Sequence, residues 1–103
     1  MKVAVDRRAM LDQIGFWNVG AISGGRVQGI DDGIRLPVGR GYSVEILYDY
    51  GQDLYTVKRV YTRGQVRKEA VKTGIFGEVL GEVAYRASCF ENVDFGELVR
   101  VEY

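Results

Sequence analysis

Few residues in this sequence are suited to catalysis, and the chain contains no histidine. That removes the usual general base near neutral pH, together with every histidine-containing metal site or nucleophilic triad. The one cysteine, Cys89, cannot form an internal disulfide, and without an imidazole it is poorly placed as an activated nucleophile. We interpret Cys89 as a small buried residue. We therefore expect a protein that is not an enzyme, with no cofactor and no metal.

Two short motifs invite a ligand-binding interpretation, and both are better explained as turns. Gly39-Arg40-Gly41 has the bare backbone amides with which a glycine-rich loop holds a phosphate. A phosphate loop leads into a helix, however, whereas the residues after Gly41 have the pattern of a strand. The adjacent carboxylates Asp31 and Asp32 lack the further oxygen ligands of a calcium loop and are explained by turn chemistry. Asp32-Gly33 predicts the turn of a hairpin.

Charge is balanced over the whole chain, with 14 basic and 14 acidic residues, but its distribution is uneven. Between positions 58 and 72, six basic residues accompany one acidic residue, and between 73 and 103, six acidic residues accompany two basic ones. Two interpretations stay open. Either the two segments neutralise each other within the fold, or they face different partners.

The basic segment includes a predicted strand that carries tyrosines and arginines on one face. Tyrosines that stack on bases and arginines that bind phosphates are the means by which a sheet holds RNA or a single strand. The other interpretation is a core face edged by arginines whose stems cover apolar surface, and the neutral overall charge favours it. Nucleic-acid binding is therefore the alternative function, with Tyr55, Arg59, Tyr61, Arg63 and Arg67 as its candidate residues.

A protein interface is the preferred function, because tryptophan, tyrosine and arginine dominate the binding energy of such interfaces. The chain has one tryptophan and seven tyrosines, more aromatic side chains than a single small core requires. Trp17, Tyr61 and Arg63 are the candidate contacts with another protein or with a second copy of the chain.

Local patterns predict the elements that position these side chains. Asp6 is a helix N-cap and Gly15 a stop, which gives a short helix over 6–14. The residues of 16–23 favour a strand, and the glycines at 24–25 break it. Strict alternation over 42–50 predicts a strand with one buried face, formed by Tyr42, Val44, Ile46, Tyr48 and Tyr50.

Turns at 51–53 and 63–64 extend this strand into an antiparallel meander with strands at about 54–62 and 65–72. Val57 and Val60 lie on opposite faces of a regular strand, whereas a bulge near Lys58-Arg59 would bring them together, and the sequence leaves both open. The last segment, 91–103, is either an edge strand of the sheet or a tail that pairs with another chain.

Between positions 75 and 90 the apolar period becomes helical, which predicts a longer second helix with one buried stripe. The stripe consists of Phe76, Val79, Leu80, Val83, Ala87 and Phe90. Small residues form a row on this helix, at Gly77, Gly81, Ala84 and Ser88. Two glycines each cost a helix about 1 kcal/mol, so the row implies a close approach by another backbone. The approaching backbone belongs either to the domain's own sheet or first helix, or to a second subunit in a self-association seam.

The whole chain, 1–103, is predicted to be one α+β domain with its core at about 5–90. It contains a short N-terminal helix, an antiparallel sheet of four to five strands, and a C-terminal helix on one face. No secretory signal or membrane span is expected, which predicts a soluble cytoplasmic protein that does not bind membranes.

Four blocks carry a resemblance to known proteins: NVGAISGGR at 18–26, LPVGRGYS at 36–43, YTVKRVYTRG at 55–64 and GEVAYRASC at 81–89. Together they resemble a family of small uncharacterised proteins encoded by actinobacteria, mycobacteriophages and plasmids. That family has no assigned activity to transfer. The resemblance implies a phage-type accessory protein, in the cytoplasm of the host cell, that acts by binding a host or self protein.

Overall fold

The computed structural model describes residues 6–89, 91 and 93–101, and its fold is α+β as predicted. Short helices cover one face of a six-stranded antiparallel sheet whose strands follow one another in chain order. In the described part of the chain the α-helices are α1 (Arg7–Ile14), α2 (Phe16–Ser23) and α3 (Leu80–Ser88). The strands are β1 (Gln28–Ile30), β2 (Gly33–Gly39), β3 (Tyr42–Asp49), β4 (Leu54–Arg63), β5 (Val66–Ile75) and β6 (Val99–Arg100).

Helix α1 begins and ends as predicted, but the segment after it is a helix and not a strand. Asp6 accepts a hydrogen bond from the Ala9 amide at 3.0 Å, and Gly15, with φ +95°, makes the corner between α1 and α2. In α2, Val19 and Ile22 are buried, a spacing of three that only a helix can bring to one side. Packing on β2 and α3 outweighs the local strand preference of these residues.

The first hairpin turns at Asp31 and Asp32, one residue earlier than the predicted Asp32-Gly33 turn. Asp32 takes the left-handed backbone conformation, with φ +61°. Gly33 belongs to β2, where a Cβ would lie 1.9 Å from the Ile46 carbonyl oxygen. The glycine is therefore required by the close approach of β3 and not by the turn.

The core lies between the helices and one face of the sheet. Ile34, Leu36, Val44, Ile46 and Val57 share this face and are fully buried. The prediction for β3 is right at its centre and wrong at its end, because Tyr42 and Tyr48 are half-buried and Tyr50 is exposed.

Strand β4 is regular, so Val57 and Val60 point to opposite faces of the sheet, and both are fully buried. The register shifts beside Tyr55 and Val57, where β5 contributes the extra residue next to Gly74 at φ +67°. The bulge considered near Lys58-Arg59 is thus absent from β4 and lies on the neighbouring strand.

Strand β5 extends to Ile75, so the second helix starts later than predicted, after a 3-10 turn at Gly77–Val79. Phe76 and Val79, expected on its buried stripe, are exposed, and Phe90 lies outside the described residues. No helix in the described part of the chain is long and apolar enough to cross a membrane, since the longest, α3, has nine residues.

Two members of the row of small residues, Gly81 and Ala84, pack inside the domain, as the first of the two interpretations of the row has it. Gly81 and Ala84 are buried against the first helices, and a Cβ on Gly81 would lie 2.3 Å from the Ile14 carbonyl oxygen. Gly77, in the 3-10 turn, faces the side chain of Gln13, and Ser88 is half-buried. The close approach that the glycines imply is therefore made by the end of α1.

The segment after α3 returns to the sheet and forms its last strand. Of the two predictions for 91–103, the edge strand is the one that the structure shows. Val99–Arg100 pairs with β5 as β6, and Phe95 is buried beneath Arg59 and Lys72, whose charged ends lie 5.1 and 5.3 Å from its ring centroid. Positions 102 and 103 lie outside the described residues.

The two helical glycines Gly81 and Gly20 should respond oppositely to alanine. At Gly81 the methyl group would collide with the Ile14 carbonyl, so G81A should lower the free energy of unfolding by about 2 kcal/mol or more. At Gly20 the space is open within 4 Å, so G20A should raise it by about 0.5–1 kcal/mol. Urea unfolding followed by circular dichroism measures both, and a neutral G81A would contradict the packing described here.

Candidate functional site

The most exposed large apolar side chains in the described structure lie side by side on α2. Trp17 is 85% and Phe16 84% exposed, and their rings meet edge to face with centroids 5.8 Å apart. Apolar surface of this size is unfavourable in water, and such surface on a folded domain typically marks a binding site. The structure thus places the predicted contact Trp17 at the surface and adds Phe16 to it.

A groove of about 540 Å³ is lined by Phe16, and Trp17 lies next to Phe16 without lining the groove. Its wall includes Leu11 from α1, Phe16 from α2, and Val27 from the segment after α2, with Asp12 as its one charged lining residue. Gly20 and Gly24 line it without side chains to fill it. We call Leu11, Phe16, Trp17, Gly20 and Val27 the α2 surface.

The composition of α2 explains why this surface is apolar. The helix carries no charged residue, a composition normally found in helices buried on all sides. Its inner side, with Val19 and Ile22, covers the sheet, and its outer side, with Phe16 and Trp17, faces solvent. The signal in the sequence is the adjacent aromatic pair in a charge-free segment between two glycines.

The other predicted protein contacts, Tyr61 and Arg63, lie in a different element from Trp17. Both are near the end of β4, where Tyr61 is half-buried and its ring lies 4.8 Å from that of Tyr42. Arg63 is exposed beside the turn into β5. Trp17 is therefore part of an exposed apolar surface, whereas the ring of Tyr61 packs against Tyr42 within the sheet.

The face proposed for nucleic acid is largely internal. Tyr55, Arg59, Tyr61 and Arg63 do share one side of β4, but it is the side covered by the helices, where Tyr55 is 8% and Arg59 4% exposed. Arg67 points to the opposite face, because it pairs with Thr62. The five side chains do not form one exposed platform, and the core-face interpretation describes this strand better.

Arg59 has a structural role at the C-terminal end of α3. Its Nε donates to the Ala87 carbonyl at 2.7 Å, and its Nη2 donates to the carbonyls of Arg86 at 2.9 Å and Cys89 at 2.7 Å. The last carbonyls of a helix have no partner within it, so a buried guanidinium that satisfies them ties the helix to the sheet. Cys89 itself is half-buried and not buried as expected.

Arg67 belongs to a ladder of charges on the open face of the sheet. Its Nη2 lies 2.8 Å from Glu45 Oε1, and its Nε lies 2.7 Å from Glu69 Oε2. The other oxygen of Glu45, Oε2, lies 2.9 Å from Arg35 Nη2, and Glu69 Oε1 lies 3.2 Å from Lys58 Nζ. Two of the six basic residues of the segment, Lys58 and Arg67, are thus paired with carboxylates of the same sheet, an arrangement that the two interpretations of the charge distribution did not include.

The ladder controls the ionisation of its two glutamates. Burial raises the pKa of Glu45, but hydrogen bonds from Arg67 and Arg35 outweigh burial and hold its pKa below the ordinary value. The balance is the same for Glu69, where hydrogen bonds from Arg67 and Lys58 prevail over burial and lower the pKa. Both carboxylates are therefore charged in the folded protein at neutral pH.

Comparison with models of known protein families, with curated proteins and with solved structures returned no match. Within the part of the chain that the structure describes, no group of three or more cysteine, aspartate and glutamate side chains is placed to hold a metal ion. The candidate site therefore rests on the geometry of the chain's own surface.

Acid should destabilise the fold through the ladder. The pKa values of Glu45 and Glu69 are lower in the folded state than in the unfolded chain, where they are about 4.5. The contribution of the two carboxylates to the free energy of unfolding is therefore complete above about pH 4.5 and is lost as the pH falls through their folded pKa values. E45Q should be less stable than wild type at pH 7, and its stability should fall less steeply between pH 5 and pH 3. Equal slopes in urea titrations of the two proteins would contradict this account.

Replacing Arg59 should cost more stability than removing an exposed arginine. R59M keeps an unbranched stem but leaves the α3 carbonyls without their donor, so we expect a loss of about 3 kcal/mol. R8Q, at an exposed position of α1, should change the free energy of unfolding by less than about 0.5 kcal/mol. Chemical denaturation measures both, and a loss below about 1 kcal/mol for R59M would refute the capping role.

Proposed function

We propose that this protein is a non-enzymatic binding module that docks onto another protein, of a host cell or a second copy of itself, through the α2 surface. The proposal suits a phage-type accessory protein that works in the cytoplasm of its host. The observation that carries it is the exposed pair Phe16 and Trp17 beside an apolar groove on a charge-free helix.

The energetics favour a partner that covers the two rings. Aromatic side chains bury about 150–250 Å² each, and at about 25 cal/mol per Å² they dominate the affinity of the interfaces that contain them. The rings already contact each other, so less side-chain freedom is lost on binding than for two independent residues. Trp17 is therefore the expected hot spot of the interface.

The groove defines the chemistry of the partner. Gly20, Gly24 and Gly25 have open space where a Cβ would stand, so the groove can admit a large side chain. Leu11 and Val27 make its wall apolar, and Asp12 supplies a negative charge. The partner that fits presents an aliphatic or aromatic residue next to a lysine or arginine.

The alternative, nucleic-acid binding by the β4 face, has less support. Tyr55 would have to leave the core to stack on a base, and Arg59 would have to release the end of α3. Either movement would give up contacts that hold the helices on the sheet. The α2 surface needs no rearrangement to bind.

Photo-crosslinking from Trp17 tests the proposal. A benzophenone amino acid at position 17, compared with one at Val71 on the other face of the sheet, should capture a discrete protein from a nuclease-treated mycobacterial lysate. The captured protein is then purified and its affinity measured by calorimetry. W17S and F16S should each weaken binding by about 2 kcal/mol or more, roughly thirtyfold, while V71S should leave it unchanged.

The same variants distinguish the partners. A dimer of wild type that becomes monomeric in W17S by sedimentation equilibrium identifies the second copy as the partner. Equal affinity of W17S, F16S and V71S for the captured protein would refute the α2 surface. In a parallel lysate left without nuclease, recovery of nucleic acid and of no protein would refute protein binding as the function.

A further inference from the structure

The open face of the sheet, opposite the helices, contains a second concave surface. It is a pocket of about 250 Å³ beside the turn between β2 and β3. Arg35, Ser43 and Arg67 line it from β2, β3 and β5, Thr62 lines it from β4, and Arg26 reaches it from the segment after α2. We call these five residues the arginine pocket.

The three guanidinium groups are held in place while keeping donors available. Arg35 uses Nε and Nη2 on Glu45, and Arg67 uses Nε on Glu69 and Nη2 on Glu45. Arg26 donates through Nε to the Ser23 carbonyl at 3.0 Å and through Nη2 to the Pro37 carbonyl at 3.3 Å. Since a guanidinium has five N–H donors, each arginine retains the two on Nη1, which have no acceptor among the described residues.

Ser43 is a second, independent feature of the pocket. It is 8% exposed, lies on the same face as Arg35 and Arg67, and lines the pocket. Its hydroxyl makes no hydrogen bond within the described part of the chain. Since no buried side-chain oxygen or nitrogen of the described residues lacks a partner, the Ser43 oxygen is in contact with solvent, and its hydroxyl can donate to a ligand. The Thr62 hydroxyl makes only a long hydrogen bond within the described part of the chain, 3.4 Å to the Gly41 carbonyl.

The local charge is positive despite the two glutamates. Arg26, Arg35, Lys58 and Arg67 contribute four positive charges and Glu45 and Glu69 two negative ones, which leaves a net charge of +2. Glu45 is only 4% exposed, and its hydrogen bonds from Arg35 and Arg67 fix the orientation of these two guanidinium groups. A dianion in the pocket would balance the remaining charge.

From these features we propose that the arginine pocket binds a phosphate group. Several oxygens are needed to accept from three guanidinium groups and from the hydroxyl of Ser43, and a phosphate dianion has both the oxygens and the charge. The turn at Gly39-Arg40-Gly41 borders the same pocket through its two glycines. The turn is therefore not a phosphate loop by itself but one edge of a site completed by distant arginines.

The pocket suits a single phosphate ester better than a nucleic-acid backbone. A polyanion needs a continuous positive path, and Glu45 and Glu69 interrupt the open face beside the pocket. The ligand class is therefore a small molecule with one terminal phosphate. This inference does not depend on the α2 surface, which lies in the helical layer.

Titration with inorganic phosphate tests the site in the full-length protein. Nitrogen-15 NMR follows the Nε–H signals of Arg26, Arg35 and Arg67 at pH 7.5, with sodium chloride of equal ionic strength as reference. We expect saturable shifts with a dissociation constant of about 1 mM or tighter. R26Q should weaken binding about tenfold or more and S43A about threefold to tenfold, with thermal melts confirming that both fold.

Matched variants and a polymeric probe make each outcome decisive. R8Q removes the same charge from α1, outside the pocket, and W17S removes the centre of the α2 surface, so both should bind phosphate like wild type. Equal weakening in R8Q and R26Q, or a response that chloride reproduces, would overturn the site. Tighter binding of a ten-residue oligothymidylate, with affinity falling steeply as salt rises, would overturn the assignment to a small ester.

Discussion

The buried guanidinium of Arg59 is the interaction on which the arrangement of the layers depends. It lies on β4, in the middle of the sheet, and donates to three carbonyls at the end of α3. A charge this deeply buried is tolerated only when its hydrogen bonds are satisfied, so the end of α3 must lie where Arg59 can reach it. With α3 in that position, Gly81 meets the end of α1, and the glycine corner after α1 directs α2 across β2.

Side chains on the two faces of the sheet are buried in different ways. On the covered face, apolar side chains such as Leu36 and Val57 pack against the helices. On the open face Glu45 and Val60 are also buried, and Arg35 and Arg67 of the charge ladder pair with Glu45. The helical side therefore carries the α2 surface, which we propose for a protein partner, and the open face carries the arginine pocket, which we propose for a phosphate group.

Much of the sheet could be read from local patterns. The alternation of Val44 and Ile46 with polar neighbours and the glycine turns at 51–53 and 63–64 depend on backbone geometry that each segment carries with it. The helical state of 16–23 could not be predicted in this way, because Phe, Trp, Val and Ile have side chains suited to strands and no charge marks a solvent face. Its burial against β2 and α3 decides the outcome, and those contacts join segments far apart in the chain.

For the candidate sites too, residue type predicts some features and the tertiary structure decides the others. Trp17 can be proposed as a binding residue from its type alone, but its exposure depends on which side of α2 faces the sheet. Arg59 and Arg67 are indistinguishable in sequence, and strand register places one beneath α3 and the other on the open face.

The sequence by itself determined the α+β class, the capped first helix, the hairpins, and the lack of histidine chemistry, because these follow from residue type and short-range spacing. Only the tertiary structure decided that Gly81 packs against the end of α1 and that α2 exposes its aromatic pair. It also decided that three arginines line one pocket with Ser43. Each of these depends on the approach of elements distant in the chain, which local spacing does not specify.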